Sequence, residues 1–204
     1  MIYELSLVTK ANLSETEVQT IVDLVKSTVK NDGGEVVVED NWGVKTFAQP
    51  TSEGVEKGNY LYFLYSAGNE TNVELNRKFR INESVLKSMI FNLGYEKDQA
   101  VLVKSYKTPY SKTFNGSVVD SIEEDDERSR RKFARSTNCW FSKNKIKANW
   151  KDPATYSWLV NEFGKIAPAR VSGISRKHQR YITSTVKVAR QLGLISHLSN
   201  RIAE

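Results

Sequence analysis

Near the start of the chain apolar and polar residues take turns. Tyr3, Leu5 and Leu7 alternate with Glu4, Ser6 and Val8, the period-two rhythm of a strand with at least one buried face. Ser14-Glu15-Thr16-Glu17 then has the form of a capping box. Val18, Ile21, Val22, Val25 and Val29 recur behind it at helical spacing until Asn31-Asp32-Gly33-Gly34 ends the helix. A second strand runs from Glu35 through Val36, Val37 and Val38 to Trp42, and Gly43 marks a bulge or bend before Lys45, Phe47 and Ala48. After a polar loop at 50–58, the run 59–67 (NYLYFLYSA) is so rich in aromatic and apolar residues that it reads as a central strand. Asn69 is placed to cap a second helix carrying Val73, Leu75 and Phe79 and ending near Asn82, and 85–93 form the last strand. The order βαββαβ predicts an α+β domain over 1–109: an antiparallel four-stranded sheet with two helices, the ferredoxin-like arrangement.

Both rhythms vanish over 110–127. Asn115-Gly116 marks a turn there, and Glu123-Glu124-Asp125-Asp126-Glu127 is a like-charge run of the kind found in solvated linkers. A flexible acidic tether is the plain reading; a sharper one is that the acidic run covers a basic partner domain until RNA displaces it. Helical spacing returns further on. Asp152-Pro153 offers an N-cap and first-turn pair for a short helix with Tyr156, Leu159, Val160 and Phe163, closed by Gly164. Pro168-Ala169-Arg170 and Ser172-Gly173 form a stiff loop, and a long helix is predicted from Ser175 to Leu192, where Gly193 stops it. At about 100° per residue, Arg176, Arg180, Lys187 and Arg190 fall in one stripe roughly 80° wide, with Lys177 beside it. Tyr181, Ile182, Thr185, Val186, Val188, Ala189 and Leu192 take the other side. The region 128–204 is thus predicted to be a small basic all-α domain.

Charge sharpens this division. The 204 residues carry a net +6, but 1–109 hold 12 basic and 15 acidic residues, 110–127 hold 1 and 6, and 128–204 hold 17 and 3. So one-sided a surplus points to a polyanion, and a phosphate backbone is the densest such partner. Arg128, Arg130, Arg131, Lys132 and Arg135 form a basic arm with Phe133 inside it and Trp140 and Phe141 after it, an interleaving of cation and ring suited to RNA. Trp140, Phe141 and Trp150 are candidates for base stacking or for core anchors; Trp42, Tyr60, Tyr62 and Phe63 read as core or docking surface. The single Cys139 excludes an internal disulfide and fits a reducing compartment. No apolar run approaches the ~20 residues of a membrane span, and the N-terminal MIYELSLV has no basic leader region, so a cytoplasmic location is expected.

Two sets of motifs carry family resemblances. Asp40-Asn41-Trp42-Gly43-Val44-Lys45, Gly58-Asn59-Tyr60-Leu61-Tyr62-Phe63, and Phe79-Arg80-Ile81-Asn82 with Glu83-Ser84-Val85-Leu86-Lys87 resemble bacterial small-subunit ribosomal protein six over about 1–109. Arg131-Lys132-Phe133, Trp150-Lys151-Asp152, the run 164–173 (GKIAPARVSG), and Gln179-Arg180 followed by Ala189-Arg190 are similar to bacterial small-subunit ribosomal protein eighteen over about 128–198. Ala134 and Ser136 stand where many members of the second family carry cysteine, so no zinc set is read here.

The resemblances imply a structural constituent of the small ribosomal subunit that binds rRNA at the platform, beside neighbouring ribosomal proteins, as a covalent version of a pair that otherwise forms between two chains. They imply intramolecular pairing of the two halves and a cytoplasmic, ribosomal location, with an organellar ribosome left open; no cofactor and no metal are expected. Lys165 and Arg170, with Arg176, Lys177, Arg180, Lys187, Arg190 and the basic arm, are the expected RNA contacts.

Catalytic chemistry finds little to work with. His178 and His197 are the only histidines, neither has a cysteine or carboxylate at ligand spacing, and Cys139 has no base near it in sequence. There is no P-loop and no GxGxxG. An acylphosphatase-like hydrolase would need an arginine on a phosphate-cradling loop, and residues 9–14 (TKANLS) supply none. A free RNA-binding regulator of a messenger leader is the other alternative.

Overall fold

A computed structural model describes residues 1–94, 99–106, 139–199 and 201–203. They fall into two compact units. One is built from 1–46 with 55–106, the other from 47–54 with 139–203. The predicted tether and basic arm, with Arg128, Arg130, Arg131, Lys132 and Arg135, lie outside the described residues.

In the first unit β1 (Ile2–Lys10), β2 (Glu35–Thr46), β3 (Lys57–Ser66) and β4 (Val85–Gly94) form one antiparallel sheet in the order β2-β3-β1-β4. The run 59–67 earns its central place, since β3 pairs with β1 on one side and β2 on the other. At the expected bulge the β2–β3 register shifts between Asn41 and Gly43. Helices α1 (Glu15–Asn31) and α2 (Asn69–Ile81) pack Ile21, Val22, Val25, Val29, Leu75 and Phe79 with Tyr3, Leu5, Leu7, Leu61, Phe63 and Tyr65 of the sheet. This is the ferredoxin-like α+β fold.

Local chemistry sets the helix starts. Ser14 caps α1 reciprocally: its Oγ accepts from the Glu17 amide at 3.3 Å, and the Glu17 carboxylate accepts from the Ser14 amide at 2.8 Å. At α2 the expected cap is displaced by one residue. Gly68 is the N-cap, and Asn69 already belongs to the first turn with no side-chain cap bond. A third helix, α3 (Gln99–Ser105), follows β4 and was not predicted.

The other face of the sheet carries a polar-aromatic group. The Tyr62 hydroxyl donates to Glu4 Oε1 at 2.7 Å, and the Tyr106 hydroxyl donates to Asp40 Oδ2 at 2.6 Å while accepting from Trp42 Nε1 at 3.1 Å. The Tyr62 and Tyr106 rings stack at 4.7 Å. Burial, reinforced by Glu4, pushes the Tyr62 phenol far above its ordinary range, so it stays protonated and keeps its proton for the Glu4 carboxylate. Trp42, Tyr60, Tyr62 and Phe63 are all buried, as core aromatics.

The second unit has less regular structure than an all-α domain. It contains α4 (Trp140–Lys143), two 3-10 turns at Pro153–Thr155 and Ser157–Leu159, α5 (Ala169–Ser172) and α6 (Arg176–Gln191). The helix expected from Pro153 to Phe163 is therefore corrected to two 3-10 turns. Tyr156, between them, sits at φ −140° and ψ −4°, outside helical values, and its hydroxyl donates back to the Trp150 carbonyl at 2.9 Å. Beyond the turns Val160 pairs with Ile166 as an antiparallel bridge, which draws the chain away from a helical path. Phe141, Tyr156, Leu159, Ile182, Val186, Ala189, Leu192 and Leu194 are its best-buried core residues. The segment Phe47–Gly54, which in sequence links β2 to β3, is part of this unit: the Ala48 amide donates to Gly193 O at 3.0 Å, and Gln49 Oε1 accepts from the His197 amide at 3.2 Å.

Candidate nucleic-acid interface

Helix α6 is built much as its sequence foretells. Ser175 caps it, with Oγ accepting from the His178 amide, and Leu192 closes it before Gly193 turns the chain at φ 78°. Ile182, Thr185, Val186 and Ala189 are buried, and this face anchors the helix. Arg176, Lys177, Arg180 and Lys187 are exposed on the outer side. None of the four forms an ion pair among the described residues.

The loop before α6 is stiffened at several points. Asn161 Oδ1 accepts from the Phe163 amide at 3.1 Å and the Lys165 amide at 2.7 Å, closing a tight turn that leaves Lys165 exposed. Gly164 lies at the turn with φ +72°, and a Cβ there would come within 2.4 Å of the His197 carbonyl oxygen, so only glycine fits. Pro168 starts α5, and Gly173 ends it in the left-handed region at φ 70°. Arg170 stands exposed on that short helix. Two side chains of α6 hold this loop. Gln179 Nε2 donates to Ala167 O at 2.9 Å, and Arg190 Nη2 donates to Gly164 O.

Arg190 thereby departs from the expected stripe. Its guanidinium is partly buried, its Nε has no hydrogen-bond partner among the described residues, and burial lowers its pKa. The wheel places it among the cations because angle alone ignores the carbonyl waiting at Gly164.

Of the two uses open to the aromatic candidates, packing within the unit is the one seen. Phe141 is buried, Trp140 meets Phe141 and Trp158 edge-on at 4.9 and 5.6 Å, and Trp150 is partly buried with the Lys151 ammonium 5.7 Å from its ring centre. In their place Tyr181, assigned by spacing to the apolar side, is 52% exposed. It lies at the margin of the apolar face, where a wheel cannot separate cover from exposure.

One contact between distant residues was not visible in sequence. Cys139 Sγ lies 3.2 Å from His178 Nδ1, to which Ser175 Oγ also comes within 2.9 Å. Burial alone would raise the thiol pKa, but hydrogen bonds from the backbone of Ser175 and Ser142, and from the Ser175 and His178 side chains, outweigh it and bring the value down to about 6. Thus Cys139 does have a base beside it, supplied by 39 residues of sequence separation. Among the described residues no group of three or more His, Cys, Asp or Glu is placed to hold a metal ion. No helix among them is long and apolar enough to cross a membrane.

Together these features define a scaffold class: an α+β module and a second unit that presents fixed, unpaired cations on a rigid helix and loop. Comparison with known proteins names its two parts. The family model for ribosomal protein S6 matches residues 2–92, and that for ribosomal protein S18 matches residues 144–195. The small ribosomal subunit protein bS18 of Syntrophobacter fumaroxidans is 45% identical over 71 residues, 34% of this chain and 88% of that protein. The bS6 protein of Nitratiruptor sp. is 31% identical over 96 residues, covering 47% of this chain and 74% of that protein. A crystal structure of 30S ribosomal protein S6 from Thermotoga maritima aligns with a TM-score of 0.44 at 20% identity, over 50% of this chain and 96% of that one. The chain belongs to the ribosomal protein S6 family in its first part and to the ribosomal protein S18 family in its last, an S6–S18 fusion.

Two outcomes follow from this geometry. Replacing Arg190 with Ala is expected to cost about 1–3 kcal/mol by orphaning the Gly164 carbonyl, measured by urea denaturation, with the salt slope of RNA binding unchanged. The depressed thiol pKa of Cys139 adds stability that is full above the unfolded value, roughly 8.5, and is lost as pH falls through about 6. The melting temperature is therefore expected to climb from pH 6 to 8.5 more steeply in the native chain than in Cys139→Ala; parallel curves would contradict the assignment.

Proposed function

We propose that this chain is a structural, non-enzymatic constituent of the small ribosomal subunit that binds rRNA through its S18-like part. The observation that carries the reading is the set of exposed, unpaired cations on α6, in a chain that matches both families. Arg176, Lys177, Arg180 and Lys187 would meet phosphates along the helix, while Lys165 and Arg170 place charge against an irregular RNA surface. The basic arm at 128–135 would add a further cationic contact. Arg190 is reassigned to holding the loop.

The proposed organisation is an S6-like domain over 1–109, an acidic tether over 110–127 and an S18-like domain over 128–204, seated at the platform with neighbouring ribosomal proteins. Joining the two parts raises the effective concentration of each for the other to the order of millimolar when the linker suits the span. Pairing then no longer depends on matched synthesis of two chains. The location is that of the ribosome, cytoplasmic in a bacterium.

Sucrose-gradient fractionation tests the role directly. Stoichiometric co-migration with small subunits at high salt is expected; absence from that peak would remove the ribosomal reading and leave a free RNA-binding regulator. Replacing Arg180 with Ala is expected to lower the salt slope of binding to small-subunit rRNA by about 0.7–0.9, one phosphate contact, without altering the melting temperature.

A further inference from the structure

We propose that Tyr181 is a base-stacking residue, so that the α6 surface reads an unpaired nucleobase as well as phosphate; this rests on the RNA-binding reading above. The ring is 52% exposed, and among the described residues it has no aromatic partner and its hydroxyl no hydrogen bond. Among the described residues of the second unit the other indoles and phenols are engaged: Trp140 and Trp158 with each other, Trp150 with Lys151, and Tyr156 with the Trp150 carbonyl.

Its neighbours make the site specific to nucleic acid. On a helix, residues three and four apart adjoin, so Tyr181 lies beside Lys177 on one side and Ser184 on the other, both exposed, with exposed Arg180 next in sequence. The helix itself is fixed by its buried face and by Gln179 and Arg190, so the ring is presented on a rigid element rather than a loop. An exposed ring with Lys177 one turn before it on the same face, and Arg180 a step further round the helix, suits a nucleotide: phosphate for the two cations, the flat face of a base for Tyr181. Stacking is tolerant of base identity, so the ligand class is single-stranded or looped RNA with an unstacked base.

The competing use of Tyr181 is to cover the edge of the apolar face, and a matched set of substitutions separates the two. The full chain and its Tyr181→Phe, Tyr181→Leu and Arg180→Ala variants are titrated at fixed salt with a single-stranded oligoadenylate and with an abasic oligonucleotide of equal length. Stacking predicts that Tyr181→Leu loses roughly 5- to 150-fold in affinity for oligoadenylate, that Tyr181→Phe stays near the native value, and that neither change affects the abasic strand. Arg180→Ala should weaken both probes. Equal affinities of Leu and native proteins for oligoadenylate, equal losses on both probes, or no binding of oligoadenylate by the native chain would each overturn the proposal. If Tyr181→Leu has no effect while Arg180→Ala still weakens both probes, only the stacking role falls; if Arg180→Ala is also silent, the RNA-binding reading falls with it.

Discussion

Uncompensated positive charge is the constraint around which the second unit is made. Residues 128–204 contain 17 Lys and Arg against 3 Asp and Glu, so most of the cations have no acidic residue of that region to pair with. Self-repulsion of this size opposes compaction, and a region with few acidic residues can relieve it only by spacing the cations or by binding an anion. The fold does the first on α6, where Ile182, Thr185, Val186 and Ala189 are buried and the cations are turned outward. Such an arrangement spaces the like charges along the outer face of the helix, and under the proposed role phosphate would complete their compensation.

Rigidity is the second half of that design. A cation on a mobile loop loses entropy when an anion fixes it, whereas one on a pinned backbone loses less. The loop bearing Lys165 and Arg170 is held by Asn161 from within, by Gln179 and Arg190 from α6, and by the close passage of the His197 carbonyl at Gly164. Arg190 shows the trade in a single side chain. It gives up a solvent-facing charge and leaves its Nε buried, and in return the loop that presents two other cations is fixed.

Periodicity made the sheet and both of its packed helices legible, because local pattern defines them: the Ser14 capping box, the Gly43 bulge and the aromatic run of β3 are where residue type demanded them, whereas α3 and the Gly68 cap of α2 were missed. Misreadings cluster where a distant partner decides. Tyr156 breaks the helix expected after Pro153 by reaching the Trp150 carbonyl, and Arg190 leaves the cationic stripe for Gly164. Cys139 and His178 meet across 39 residues, a proximity that no spacing rule contains. Tyr181 failed for a different reason: a wheel angle at the edge of the apolar face is compatible with burial or exposure, and only the packing of Ile182 and Thr185 chooses between them. The family resemblances, by contrast, rest on short motifs read as strings, so they survived every error in local structure.

The discontinuity of the second unit gives the fusion a structural meaning beyond convenience. Phe47 and Ala48 are buried, and Gln49 accepts hydrogen bonds from the Ser196 hydroxyl and the His197 amide, so the turn after α6 is completed by residues encoded between β2 and β3. Without Gln49 the buried Ser196 hydroxyl would lose its acceptor, a loss of about 1–3 kcal/mol that is a large part of the stability of a small, highly charged unit. Supplying the partner from the same chain converts that requirement from an encounter between two molecules into a loop closure, whose entropic cost grows only slowly with the length of the intervening segment. The segment between β2 and β3 thus serves two ends at once, joining two strands of the sheet and closing the turn that follows α6.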